Sequence, residues 1–376
     1  MKLSLAPSLI REIHGVTILW FKNSNKYILL NDLNYSLLSS FIKSKDDSEF
    51  HFFINTLDNF PSTLSNKLYS EFEQLLNSLN VVQSDLNTIE FTGFSDTNYI
   101  SVFYKIKDLV IKVCYQSQFE KDIIHPQFSY LELKDPNLRS NFTFYIKNNN
   151  ETLHLFKNKI HLGTYNQSDY HLLQGKFAME LLCGLTHTIE DDWLGTFHAS
   201  TISNSKEAIM LVGESGKGKS TLATLLMANG FNLIADDFTP ILAKSQKINP
   251  YPSAISMKNG SFRLLDSLSE KIEFKANSLS HIKKGDLKYV SPINTIEEPI
   301  SCNKIILVAY SPEAETKLDI ISAEEILNIL IPDSWLSPIA ENAAYFLDWL
   351  ETCHFYKLTY SDSNSVVLKI KSLIDE

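Results

Sequence analysis

The stretch AIMLVGESGKGKSTLATLLMANGFNLIADDFTP, residues 208–240, decides the fold. After Ala208 it opens on an apolar run (209–212), passes a glycine-rich turn (213–219), continues as a helical segment (220–229) and closes with a second apolar run (231–235) ending on Asp236 and Asp237. Apolar runs of that length between turn signals read as buried strands, and Gly230 reads as the cap that ends the helix. Gly213, Gly218, Lys219 and Ser220 fit the spacing G-x-x-x-x-G-K-[ST] in a strand-then-helix context, which is the P-loop. Glycines at those positions let backbone N–H groups come close to phosphate oxygens, and the following helix turns its positive end toward them. The expected nucleotide contacts are therefore Gly213, Glu214, Ser215, Gly216, Lys217, Gly218, Lys219, Ser220 and Thr221. Lys219 is expected on the outer phosphates and the Ser220 hydroxyl on Mg²⁺, which makes ATP and Mg²⁺ the implied cofactors; nothing in the motif separates ATP from GTP.

Only one short helix and one strand fit between Lys219 and the acid pair, so the two carboxylates are expected at the C-terminal end of a strand beside the loop, where open α/β sheets bind ligands. Neighbouring strand residues point to opposite faces, so at a strand end one carboxylate can face a metal while the other faces an acceptor hydroxyl. Asp236 is expected to hold the metal with Ser220, and Asp237 to take the hydroxyl proton. A turn pair or helix cap is the alternative for both acids.

The arrangement G-x-S-G-x-G-K-S, short helix, A-D-D resembles the HPr kinase family, Ser/Thr kinases that share a nucleotide site with ATP-dependent phosphoenolpyruvate carboxykinases. The matching residues are Gly213, Ser215, Gly216, Gly218, Lys219, Ser220, Ala235, Asp236 and Asp237. That family also has a His ahead of the loop, and Phe197-His198-Ala199 stands about where it falls, which implies that His198 orients a carboxylate or moves a proton; by itself, a His in such a strand is an ordinary core residue. Residues 249–263, NPYPSAISMKNGSFR, look like the P-x-P, I-S-x-K, G-S segment of the family's peptide-modifying relatives. A proline turn, a strand and a second turn at Asn259-Gly260 are expected there. Lys258 and Arg263 become candidate phosphate or substrate cations, with a plain surface strand as the alternative. No E-x-R-G segment follows Asp237, which sets the chain apart from HPr kinase proper in its substrate and in reverse phosphorolysis.

Composition bounds these readings. A chain of 376 residues that is 44% hydrophobic and 11% aromatic can bury a full core and is long enough for two or three domains. A formal charge of −10 without a basic stripe argues against nucleic acid and against anionic membranes. With no apolar run near eighteen residues and no signal-peptide core at the N-terminus, a cytoplasmic location is expected. Cys114, Cys183, Cys302 and Cys353 are far apart and read as buried thiols. Arginine is scarce: Arg11, Arg139 and Arg263 are the only three, so Arg263 alone is available in the C-terminal half.

Before the loop, β-rich runs at 15–21 and 27–30 joined by residues 22–26 read as a hairpin, followed by helices at 33–42 and 65–79. Hairpin, L-N-D-x-N-Y-x-L-L, then helices ending in L-x-x-L-N-V-V is similar to the PqqD-like peptide-binding domains. These are small winged-helix units that grip the leader of a precursor peptide by strand addition at the hairpin edge. A winged helix used only for packing or dimerisation is the alternative, and a homo-oligomer is left open. The polar stretch 84–97 marks the boundary. Beyond it, strands are expected at 99–104, 109–115, 142–146, 152–156 and 159–165, with His154 and His161 on the solvent side, and a helix at 170–185. Residues 267–300 read as a flexible loop over the site, residues 304–310 and 355–360 as strands, and Tyr360-Ser361-Asp362 as an edge of the nucleotide pocket.

The fold class expected is α/β: an HPr kinase- and phosphoenolpyruvate carboxykinase-like P-loop core (191–376) with a β-rich front half (97–190), together 91–376, plus a small winged-helix-like α+β domain at 1–90. The function expected is ATP- and Mg²⁺-dependent transfer of phosphate to a Ser or Thr hydroxyl of a peptide or protein bound through the N-terminal domain; a role in making modified ribosomal peptides is implied by the resemblance alone. A nucleotide-gated binding module and a small-molecule kinase are the alternatives.

Overall fold

The computed structural model describes residues 2–57, 62–82, 99–135, 138–272, 274–281, 285–293 and 296–375. The expected boundary at 84–97 lies outside the described residues.

The chain begins with an antiparallel sheet of β1 (Leu9–Ile13), β2 (Val16–Phe21) and β3 (Lys26–Leu30), with β2 in the centre. Three helices follow, α1 (Asp32–Lys43), α2 (Asp47–Asn55) and α3 (Ser62–Leu79). Asn31 and Asp46 start the first two by accepting from the backbone N–H groups of Asn34 and Glu49. β2 is buried along its whole length because its two faces serve two cores. Leu19 and Phe21 pack with Leu37, Phe41, Phe50 and Leu76 of the three helices. Ile18 and Trp20, with Tyr27, join the core of the C-terminal half, where the Tyr27 and Phe346 rings meet edge to face at 5.3 Å. Two elements lack a clear signal in the sequence: β1 reads as polar through Arg11 and Glu12, and the phenylalanines of α2 mimic a strand.

The front half is a six-stranded sheet in the order β6-β4-β5-β7-β8-β9. Its elements are β4 (Ile100–Ile106), β5 (Leu109–Tyr115), α4 (Gln118–Ile124), β6 (Glu132–Leu133), β7 (Phe142–Asn149), β8 (Thr152–Lys157), β9 (Ile160–Asn166) and α5 (Tyr170–Thr186). Leu173, Phe177, Leu181 and Leu182 of α5 cover the sheet, as helical spacing predicts, whereas Leu172, which the same spacing groups with them, is exposed. One expectation fails. His154 is buried, because β8 lies between β7 and β9 and both of its faces are covered; its Nδ1 and the Nε2 of His161 both bond the Thr164 hydroxyl, at 2.9 and 3.0 Å.

The C-terminal half runs β10 (Trp193–Phe197), β11 (Ser200–Ser203), β12 (Ala208–Val212), α6 (Lys219–Met227), β13 (Asn232–Ala235), β14 (Thr239–Leu242), β15 (Ile255–Lys258), α7 (Phe262–Leu268), β16 (Phe274–His281) and β17 (Gly285–Val290). It continues with β18 (Cys302–Tyr310), β19 (Lys317–Ile320), α8 (Ala323–Leu330), β20 (Ser334–Leu336), α9 (Ala340–Glu351), β21 (His354–Tyr360) and α10 (Ser363–Asp375). Its main sheet has the order β13-β11-β12-β18-β21-β19. β12, β18 and β21 are parallel, while β11 is antiparallel to both β12 and β13. β12 and β13 thus point the same way and end at one edge of the sheet. β10 pairs with β14 and β20 in a smaller sheet. The loop expected at 267–300 is instead largely structured: β16 and β17 form a hairpin that adds to β15. Among the described residues no helix is long and apolar enough to cross a membrane.

Candidate functional site

The sheet order brings the glycine loop and the acid pair together. Ser200, at the start of β11, lies opposite Leu211 of β12, while Thr201 lies opposite Ala235 of β13. One strand therefore spaces the loop from the carboxylates. Gly213, Gly216 and Gly218 have φ of 147°, 88° and 102°, backbone that side-chain-bearing residues rarely adopt. A Cβ at Gly213 would also come within 3.2 Å of the Val308 carbonyl, so glycine is needed there for space as well.

Lys219 is buried, and its Nζ donates to the Gly213 carbonyl at 2.7 Å, folding the ammonium into the cradle of its own loop. Burial pulls its pKa below the ordinary lysine value, against the opposing charges of Asp237, Asp236 and Asp333. The Ser220 hydroxyl donates to Asp236 at 3.0 and 3.2 Å to the two oxygens. Asp236 is buried and also accepts from the Ser200 hydroxyl at 2.5 Å and the Ser256 N–H at 3.3 Å. Burial and then the neighbouring Asp237 raise its pKa, and the three donors only partly offset them. The oxygens gathered here are those of hydroxyls and a carboxyl group. That set suits a hard divalent cation that keeps water and phosphate ligands of its own, so Ser220 and Asp236 fit Mg²⁺.

Asp237 adopts φ 60°, a left-handed turn that Asp tolerates better than most residues. The turn ends β13 and directs the second carboxylate away from the first. Its Oδ1 lies 3.6 Å from His198 Nδ1, and its Oδ2 accepts from the Ser256 hydroxyl at 3.4 Å. His198 stands between β10 and β11, not inside a strand. Both residues open on a cleft of about 470 Å³, lined also by His171, Thr196, Phe197, Ser215, Phe238, Asp333 and Trp335.

Of the other expected residues, Lys258 reaches the loop, donating to the Ser215 hydroxyl at 3.0 Å. Thr221 bonds Ser261 at 2.6 Å, tying α6 to the start of α7. Arg263 is exposed on α7, which follows the strand β15 and a tight turn at Asn259–Ser261, where a turn at Asn259-Gly260 was expected. Glu214 and Lys217 are exposed and face each other at 3.9 Å on the outside of the loop, leaving their backbone as what the loop offers a ligand. Tyr360 lies under the loop, its hydroxyl 3.4 Å from where a Cβ on Gly218 would be. Asp362 is spent on the Ser365 N–H at the start of α10. Ser200, Ser256, His171, Asp333 and Trp335 are not found from the sequence; Ser256 lies in the I-S-x-K segment already singled out, and the rest carry no motif.

No family profile matches this chain, and no curated protein matches it. Among solved structures it is similar to the HPr(Ser) kinase/phosphatase from Coxiella burnetii at 12% identity, over 48% of this chain and 88% of that one, with a TM-score of 0.23. A likeness of that degree decides nothing about function, which rests on the residues of the site itself.

Proposed function

We propose that the protein is an ATP- and Mg²⁺-dependent kinase that phosphorylates a Ser or Thr hydroxyl of a peptide or protein. The observation that supports it best is the joining of Ser220 to Asp236 at 3.0 Å, with Lys219 in the loop behind them and Asp237 on the cleft beside them. Phosphate entering the loop exchanges the Gly213 carbonyl for its own oxygens as the partner of Lys219, and meets the N–H groups of the loop and of the first turn of α6. Ser220 and Asp236 would hold Mg²⁺, which when bound would supply positive charge to neutralise the phosphates. Asp237, about one-third exposed and facing the cleft, accepts the proton of the acceptor hydroxyl. The acceptor oxygen forms its bond to the γ-phosphorus as the bond to the leaving ADP oxygen breaks, and the proton passes from Asp237 to water. His198 at 3.6 Å keeps that carboxylate turned to the cleft.

The N-terminal unit is assigned to peptide binding. β3 is an edge strand, paired only with β2 among the described strands, and its free side can take an added strand. The turn before it reaches the cleft wall: Asn25, at φ 50°, accepts from the Trp20 indole at 2.9 Å and donates to the Leu336 carbonyl of β20 at 2.8 Å. Two residues lining the cleft, Asp333 and Trp335, precede Leu336.

The test is incubation of the full chain with ATP, Mg²⁺ and Ser-containing peptides, read by mass. A product about 80 Da heavier with matching ADP release is expected. Tight nucleotide binding with no transfer to any peptide or small hydroxyl compound sinks the kinase reading and leaves a nucleotide-gated binder.

A further inference from the structure

We infer that the cleft selects an acceptor hydroxyl with a positive charge beside it, a Ser or Thr flanked by Lys or Arg, and that Asp333 and Trp335 form the subsite for that charge. The inference rests on the kinase reading for the transfer itself, but the subsite stands on the cleft alone.

Of the nine residues lining the cleft, two are Asp, two are His and none is Lys or Arg. The nearby lysines stand at the loop end of the cleft: Lys219 bonds the Gly213 carbonyl, and Lys258 bonds the hydroxyl of Ser215, the loop residue that lines the cleft. The acceptor side is thus acidic before any nucleotide arrives, and a triphosphate makes it more so. Asp237 is committed to the hydroxyl proton. Asp333 is not needed for that step; it is exposed, and its charge reaches the same space, since it is one of three carboxylates acting on Lys219.

Trp335 supplies the second part. Trp20, Trp193 and Trp349 are buried to within 2% of full coverage, whereas Trp335 is only partly covered and lines the cleft. It is held on a fixed backbone: β20 pairs with β10, Trp335 opposite Thr196, and Asn25 bonds the next carbonyl. A partly exposed indole on a rigid strand, two residues from an exposed carboxylate, is a seat for an ammonium or guanidinium, which stacks on the ring face and pairs with the acid. An anionic neighbour on the acceptor meets Asp333, Asp237 and the triphosphate together, and like charges at such range are unfavourable.

The experiment compares three acetylated, amidated pentapeptides, Gly-Lys-Ser-Lys-Gly and its Gln and Glu counterparts. On the full chain with MgATP, kcat/KM is expected to fall in the order Lys, Gln, Glu, by on the order of tenfold from first to last, and the spread is expected to shrink in about 0.5 M salt. Asp333→Asn is expected to collapse the ratio and Asp333→Lys to reverse it. A Glu peptide used as well as the Lys peptide, or a preference that survives Asp333→Asn, overturns the assignment. A second arm needs no transfer: the Lys peptide quenches tryptophan fluorescence saturably, the Glu peptide does not, and Trp335→Phe removes the signal. That result without phosphate transfer keeps the subsite and sinks the kinase reading, whereas transfer without charge preference does the opposite.

Discussion

Asp237→Asn separates the acceptor chemistry from everything else in the site. Asparagine has the same shape, tolerates the φ of 60° at that position, and can keep the contact with the Ser256 hydroxyl by donating where Asp accepted. With the side chain about one-third exposed, the cost to the fold is about 0.5 kcal/mol or less. What is lost is the proposed proton acceptor, worth ~10²–10⁴ in rate, or roughly 3–5 kcal/mol of barrier. The same change removes a negative charge that raises the pKa of Asp236, so nucleotide with Mg²⁺ is expected to bind as well or better. The assay is single-turnover transfer beside a fluorescent-nucleotide titration and a thermal melt. A rate within tenfold of wild type refutes the role given to Asp237. Loss of nucleotide binding with an unchanged melt shows instead that the two acids have exchanged duties.

Lys219→Met is expected to keep the fold and lower nucleotide affinity by on the order of 100-fold, measured by the same titration, because the one buried ammonium of the loop is gone. Asp236 has a folded-state pKa raised by burial, so the folded chain holds its proton more tightly than the unfolded one; without metal, that residue's contribution to stability falls as pH rises from the ordinary carboxylate value through the raised one. Asp236→Asn is expected to flatten that part of the melting-temperature profile, and a profile identical to wild type counts against the buried charge. Trp20→Ala, which empties a fully buried site in the shared core, is expected to cost about 3–5 kcal/mol in denaturant unfolding. A chain lacking residues 1–82 is expected to aggregate, because the surface that Ile18, Trp20 and Tyr27 cover around Phe346 is left open; a monomeric, cooperatively melting fragment argues against the shared core.

The loop and the acid pair are legible because their chemistry is local: glycines at fixed offsets, a lysine and a serine opening a helix, and two acids closing the next strand. That β11 lies between β12 and β13 is not legible, since nothing in a strand's own residues names its neighbour, and Ser200 escapes notice for that reason. Asp333 and Trp335 arrive at the cleft through the pairing of β20 with β10, about 140 residues away in sequence, and no spacing rule reaches that far. The paired strands β16 and β17 read as loop because their lysines and serines mask the alternation that marks a strand. Alternation also puts His154 outside, since it assumes one open face, and β8 has none.

The two-sided burial of β2 has a consequence for the proposed peptide binding. Leu19 and Phe21 face one way and Ile18 and Trp20 the other, so a single strand is fastened to both its own helices and the rest of the molecule. A unit welded in this manner cannot swing its cargo toward the cleft. On the proposed reading, in which a peptide adds to the β3 edge, the span from that edge to the phosphate would have to be crossed by the peptide's own length, and the gap between its anchored segment and its modified residue would act as a ruler.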